Sequence, residues 1–189
     1  MNINSAYIIF AVLILLVILL LCFFIKTFNT LIKVRNRVQT QWAQVDVQLT
    51  RRADLIPNLI ETVKGYTEHE SETLEKVVAA RQAAVSAGTR SEALAADTQM
   101  SSVLPSILAL AEAYPTLKAD GSFLNLQEQL NETENKIAFA RQFFNDTVLI
   151  YNNTIGQFPQ NIVAGIFGFR KENTFSADEE SRQNPRVSF

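Results

Sequence analysis

The sequence predicts an all-α protein in which a single N-terminal transmembrane helix continues into an elongated antiparallel four-helix bundle with coiled-coil-like packing. Three observations predict it. Residues Ala6–Ile25 form an apolar run with no charge, proline or glycine. Downstream, apolar positions recur in steps of three and four over several long stretches. No stretch alternates apolar and polar residues strongly enough to be a strand. The expected organisation is an anchor over residues 1–25, a helical bundle over 26–169 and a disordered polar tail over 170–189.

The run Ala6–Ile25 is long enough, at about 1.5 Å of rise per residue, to cross the roughly 30 Å of a bilayer's hydrocarbon layer. A cleaved signal would want a basic leading region and small residues at the cut, whereas Met1–Ser5 carry no charged side chain and the run ends in Cys22-Phe23-Phe24. A lipoprotein cut before Cys22 would need a small residue where Leu21 stands. Lys26, Lys33, Arg35 and Arg37 follow the run directly, which predicts the N-terminus outside and the helical body in the cytoplasm, at the inner membrane.

About 164 residues remain beyond the anchor, enough for one compact domain. The formal charge of −2 lacks the basic excess of a nucleic-acid binder. The single cysteine, Cys22, lies in the apolar run and forms no intrachain disulfide.

Helix one is expected to leave the membrane on a seam of Phe24, Phe28, Leu31, Val38, Trp42, Val45 and Leu49, with Arg35 and Arg52 at the two remaining seam places. Around Arg51, Arg52 and Asp54 the direction is expected to change, because Pro57 lacks an amide hydrogen and suits the first turn of a new helix with Asp54 as its cap. Helix two then runs to about Ala87, stopped by Gly88. Helix three spans Ser91–Ala113 with a Ser91 cap and a kink or break at Pro105, and residues 116–121 read as a loop. In helix four, capped by Ser122, Phe123, Leu126, Leu130, Thr133, Ile137, Ala140 and Phe144 step 3-4-3-4-3-4, and the stripe continues to Phe158 before Pro159. If the helices alternate in direction, helix four returns toward the bilayer. The apolar segment 161–169, with Ile166, Phe167 and Phe169, then rests at the membrane interface or packs on the juxtamembrane part of helix one, with a C-terminal cap folded onto the bundle as the alternative.

No residue constellation for catalysis stands out. His69 is the lone histidine and no second ligand accompanies it. There is no nucleophile elbow or phosphate-cradling glycine loop, and Glu132, Glu134 and Asp146 read as solvated or i,i+4-paired residues. No cofactor or metal is expected. Trp42, Val45, Leu49, Leu126, Leu130 and Phe144 are the candidate helix-interface residues. Trp42 reads as core or as an anchor between subunits. Arg51, Arg52 and Asp54 form a candidate partner or turn site, with local capping as the alternative. Asn131, Asn135, Asn145 and Asn152 are candidates for setting register in a helix assembly.

The run RNRVQTQWAQVDVQLTRRADLIPNLIETVKGYTEHE, residues 35–70, and the runs AEAYPTLKAD and FLNLQEQLNETENKIAFARQFFNDTVLIYNNTIGQFPQNIVAGIFGF, within residues 111–169, closely resemble the LemA family of bacterial membrane proteins. The resemblance covers most of the chain and is weakest over residues 89–110. It implies an all-helical body on one membrane helix and brings with it no catalytic activity or cofactor. The leading functional expectation is a non-enzymatic, membrane-anchored scaffold that self-associates, with the lipid bilayer and further copies of itself as partners. The alternative is a regulatory adaptor for one cytosolic or membrane partner. A transporter would need ionisable residues in the membrane run, and none are there.

Overall fold

The computed structural model describes residues 3–67 and 70–175. His69 and residues 176–189 of the expected tail lie outside the described residues. Among those described, every regular element is an α-helix, in the order α1 (Ile3–Lys64), α2 (Ser71–Ser86), α3 (Arg90–Ala113), α4 (Pro115–Lys118), α5 (Gly121–Gly156) and α6 (Gln160–Ile166). The all-α expectation is borne out. The chain forms two compact units, residues 42–142 and residues 1–41 with 143–189.

Helix α1 departs from expectation at its far end. The turn expected at Arg51–Asp54 does not exist, and the helix continues to Lys64 with Pro57 inside it. A proline in a helix interior leaves the carbonyl four residues back without its N–H donor. That carbonyl belongs to Ala53, and Arg81 Nε on α2 donates to it at 3.2 Å. A side chain thus replaces the lost donor, and the chain reverses instead after Gly65. Arg81→Met is expected to cost about 1–3 kcal/mol by leaving the Ala53 carbonyl unserved. In a Pro57→Ala background, where alanine restores the N–H, less than half of that cost should remain. A double-mutant cycle on urea midpoints checks this, and an unchanged cost would show that Arg81 serves something else.

The N-terminus of α3 is closed by Thr89 and not by Ser91. Glu92 N–H donates to Thr89 Oγ1 at 3.2 Å, while the Glu92 carboxylate accepts from Gly88 N–H at 2.8 Å and Thr89 N–H at 3.0 Å. This is a capping box of the Thr-x-x-Glu pattern. These backbone donors hold the Glu92 carboxyl below its ordinary range. A depressed folded pKa means a contribution fully present above the unfolded value of about 4.3 and lost as pH falls through the folded one. Glu92→Gln should therefore remove part of the acid sensitivity of the unfolding temperature between about pH 5 and pH 3.

Pro105 does not split α3, which runs unbroken to Ala113. Pro105 is exposed, and so is Ser101, whose carbonyl loses its partner to it. Where a loop was expected, Pro115–Lys118 make one helical turn. Asp120, and not Ser122, caps α5: its carboxylate accepts Phe123 N–H and the Tyr66 hydroxyl, both at 2.9 Å, and these bonds lower its pKa.

The core of the unit 42–142 draws on five helices. Ile56, Leu59 and Val63 of α1, Leu74 and Val77 of α2, Met100, Leu104 and Ile107 of α3, Leu117 of α4, and Phe123, Leu126 and Leu130 of α5 are buried together. In the other unit, Leu31 and Val38 of α1, Phe144, Val148, Tyr151 and Ile155 of α5, and Val163 and Ala164 of α6 are buried. Residues 170–175, expected as the start of the tail, form an ordered strap instead. Asn152 donates to Glu172 O at 2.8 Å and accepts Glu172 N–H at 3.0 Å, and Asn145 does the same for Phe175 at 3.2 and 2.8 Å. Tyr151 Oη donates to Arg170 O at 2.9 Å, and burial raises the pKa of that phenol, which keeps it a donor. Two asparagines read as register-setters for an assembly thus hold the chain's own C-terminal segment. Each amide side chain matches one backbone N–H and C=O in the manner of a neighbouring strand.

Candidate functional site

Five positions of α1 spaced seven apart, Leu31, Val38, Val45, Arg52 and Leu59, are all buried. Four carry apolar side chains and the fifth carries a guanidinium, which cannot be neutralised at any ordinary pH and must be paired where it lies. With its side chain only 2 % exposed, Arg52 receives partners from two other helices. Nη1 donates to Glu134 Oε2 at 2.7 Å and to Ser101 Oγ at 3.1 Å. Nη2 donates to the Asp97 carbonyl at 3.2 Å and pairs with Asp97 Oδ1. The second Asp97 oxygen pairs with Arg141 of α5. Burial pulls the Arg52 pKa down and the Glu134 charge opposes it.

Two guanidinium groups therefore face two carboxylates. Each of the four is engaged by another member of the set, so the arrangement holds helices in one register. Beside it lies a cavity of about 340 Å³ whose wall includes Leu49, Asp54, Arg81, Val85 and Met100 together with Arg52 and Asp97. Among the described residues no group of three His, Cys, Asp or Glu side chains is placed to hold a metal ion.

The residues singled out from sequence separate accordingly. Val45, Leu126 and Leu130 are buried within the unit 42–142 and Phe144 within the other, so these four are seams inside the chain. Leu49 is half-buried at the cavity. Trp42 is half-buried, and the Arg90 guanidinium sits over its ring at 5.0 Å from the centroid, a cation–π contact. Arg51, Arg52 and Asp54 form no turn site: Arg51 reaches Glu132 at 3.5 Å, Arg52 is the buried ion, and Asp54 is exposed at the cavity edge.

Sequence reading missed Asp97 and Arg141. The signal for Asp97 was present, since it occupies the first place of the stripe Asp97, Met100, Leu104, Ile107 and Ala111, all buried on α3. An acid on one apolar stripe and a base on another are the mark of a buried pair. Glu134 and Arg141, seven apart, each follow a stripe residue of α5, Thr133 and Ala140.

In the unit that contains the apolar run, α6 closes with the backbone pattern of a Schellman motif. Gly168 takes φ +70°, Gly168 N–H approaches Gly165 O at 3.4 Å, and Phe169 N–H donates to Ala164 O at 2.9 Å. This turn brings both neighbouring aromatics onto one ring of α1: Phe167 and Phe169 lie 4.6 and 6.1 Å from Phe28 between ring centroids. Phe169 is half-buried by that stack, while Ile166 and Phe167 remain exposed.

One helix among the described residues is long and apolar enough to cross a membrane, and the side chains of its most apolar window are not buried in the fold. The family profile of LemA matches residues 41–189. Magnetosome protein MamQ 2 of Paramagnetospirillum magneticum is 23 % identical over 174 aligned residues, covering 78 % of this chain and 64 % of the relative. Magnetosome protein MamQ of Magnetospirillum gryphiswaldense is 22 % identical with the same coverage. Protein LemA of Metamycoplasma hominis is 23 % identical over 155 residues, covering 82 % of this chain and 71 % of the relative. The chain thus spans a little under two thirds of the MamQ length.

Proposed function

The chain belongs to the LemA family, and on that premise we propose that it is a membrane-anchored helical scaffold, acting by association between its own copies and not by catalysis. The observation that carries this reading is apolar surface left open to the outside. From Tyr7 to Leu21 the large apolar side chains of α1 are all exposed, which suits lipid and not water. On α5 the same holds for Phe143, 61 % exposed, and Ile150, 54 % exposed. Seven residues apart, they share one helix face. Val45, Leu126, Leu130 and Phe144 are used inside the chain, so the contact between copies falls on such outward residues. Confinement to a bilayer raises the effective concentration of that contact. The basic residues after the apolar run favour a body at the cytoplasmic face of the inner membrane.

The full-length protein extracted in mild detergent is expected to give a discrete oligomer by light scattering and by crosslinking in native membranes. Phe143→Ser with Ile150→Ser should reduce it to monomer with its helicity unchanged. A monomer in both measurements would refute the scaffold, and a monomer in fixed ratio to a second protein would point to an adaptor.

A further inference from the structure

We propose that the segment from Phe158 to Phe167, including α6, is a second lipid contact: it lies in the headgroup layer of an anionic leaflet beside the membrane-spanning part of α1. The proposal rests on the anchor reading above. Its geometry starts from Phe28, three residues beyond the end of the apolar run at Ile25, hence about 4.5 Å further along the helix axis. A bilayer of about 40–45 Å around a hydrocarbon layer of about 30 Å leaves roughly 5–8 Å of headgroup region on each side. Phe28 therefore sits at headgroup level, and the Phe167 ring stacks on it at 4.6 Å.

What α6 shows to the outside fits that level. Val163 and Ala164 face inward and are buried, whereas Phe158 (79 % exposed), Ile162, Ile166 and Phe167 (55 %) stay open. Ile162 and Ile166 are one turn apart on α6, and Phe158 stands four residues before Ile162. A short helix that buries one apolar face in its own unit and leaves a second apolar face outward is suited to lie in a bilayer interface.

Charge points to the same partner. The near-neutral total hides a segregation: among the described residues of this unit, Lys26, Lys33, Arg35, Arg37, Arg170 and Lys171 stand against only Asp146 and Glu172. Residues 42–142 carry nine basic side chains against fourteen acidic ones. The unit that contains the membrane run is thus the positive one, as anionic headgroups require.

The test uses full-length protein in vesicles of mixed phosphatidylcholine and phosphatidylglycerol, with Trp42→Phe removing the native fluorophore. One variant adds Ile166→Trp and a companion adds Leu15→Trp, with Ile162→Trp as a second interface probe. The Ile166→Trp and Ile162→Trp probes should lose fluorescence most to lipids brominated near the headgroup end of the chain, and more so as phosphatidylglycerol increases. The Leu15→Trp probe should lose most to lipids brominated deep in the chain. If the Leu15→Trp probe is quenched by lipid while both interface probes respond only to aqueous acrylamide, the proposal falls and the anchor stands. Interface probes shielded from lipid and acrylamide alike would show protein covering the segment, which also overturns it. A Leu15→Trp probe insensitive to lipid would remove the anchor reading itself.

Discussion

Asp97→Asn is expected to destabilise the unit 42–142 by about 3–5 kcal/mol, the usual cost of removing one partner from a buried ion pair. The substitution keeps the volume of the side chain and removes its charge. Arg52, with a side chain 2 % exposed, cannot turn to water for compensation, whereas Arg141 retains some access to it. Glu134 touches the same guanidinium at 2.7 Å, but its side chain is 51 % exposed. Glu134→Gln should therefore cost less than about 1 kcal/mol, in the range of surface pairs. Adding Arg52→Met to Asp97→Asn should recover part of the loss, because the stranded charge goes with it. Thermal and urea unfolding of the detergent-solubilised chain, followed by circular dichroism, gives all three values. Equal losses for Asp97→Asn and Glu134→Gln would mean that burial does not govern this cluster.

Phe144→Ala is expected to be similarly damaging in the other unit, at about 3–5 kcal/mol for an aromatic truncated in a packed interior. Its ring is buried and meets the Phe175 ring edge to face at 5.2 Å, so the strap 170–175 should loosen and become a site of early proteolysis. Phe143→Ala, one residue earlier, should cost under about 0.5 kcal/mol, because that residue is 61 % exposed and its ring faces outward. Its effect should appear in the oligomer and not in the unfolding curve. Comparable losses of stability at 143 and 144 would refute this assignment of inner and outer faces.

The pair also shows what a stripe tells a reader. Phe144 was placed on the seam of the last long helix by its 3-4 spacing, and the helix, its length and that buried face follow from spacing alone. The capping box at Thr89 is legible in the same way, in the spacing of Thr89 and Glu92, although Ser91 is also a residue type that caps. The helix break expected at Pro57 is absent for a different reason. A proline's cost depends on whether another group serves the carbonyl it orphans, and Arg81, the group that does so, lies 28 residues from Ala53.

What the sequence by itself determined is therefore whatever neighbours along the chain decide: that every regular element among the described residues is a helix, that Ala6–Ile25 suits a bilayer, and which face of each long helix is apolar. Only the tertiary structure decided that α1 passes through Pro57, that Arg52 meets Asp97 and Glu134 from 45 and 82 residues away, and that Asn145 and Asn152 hold residues 170–175 in place. The physical reason is the range of the interaction. Periodicity and capping act within one or two helical turns, whereas a buried charge or an orphaned carbonyl is satisfied by whichever distant side chain the packing brings within hydrogen-bond reach.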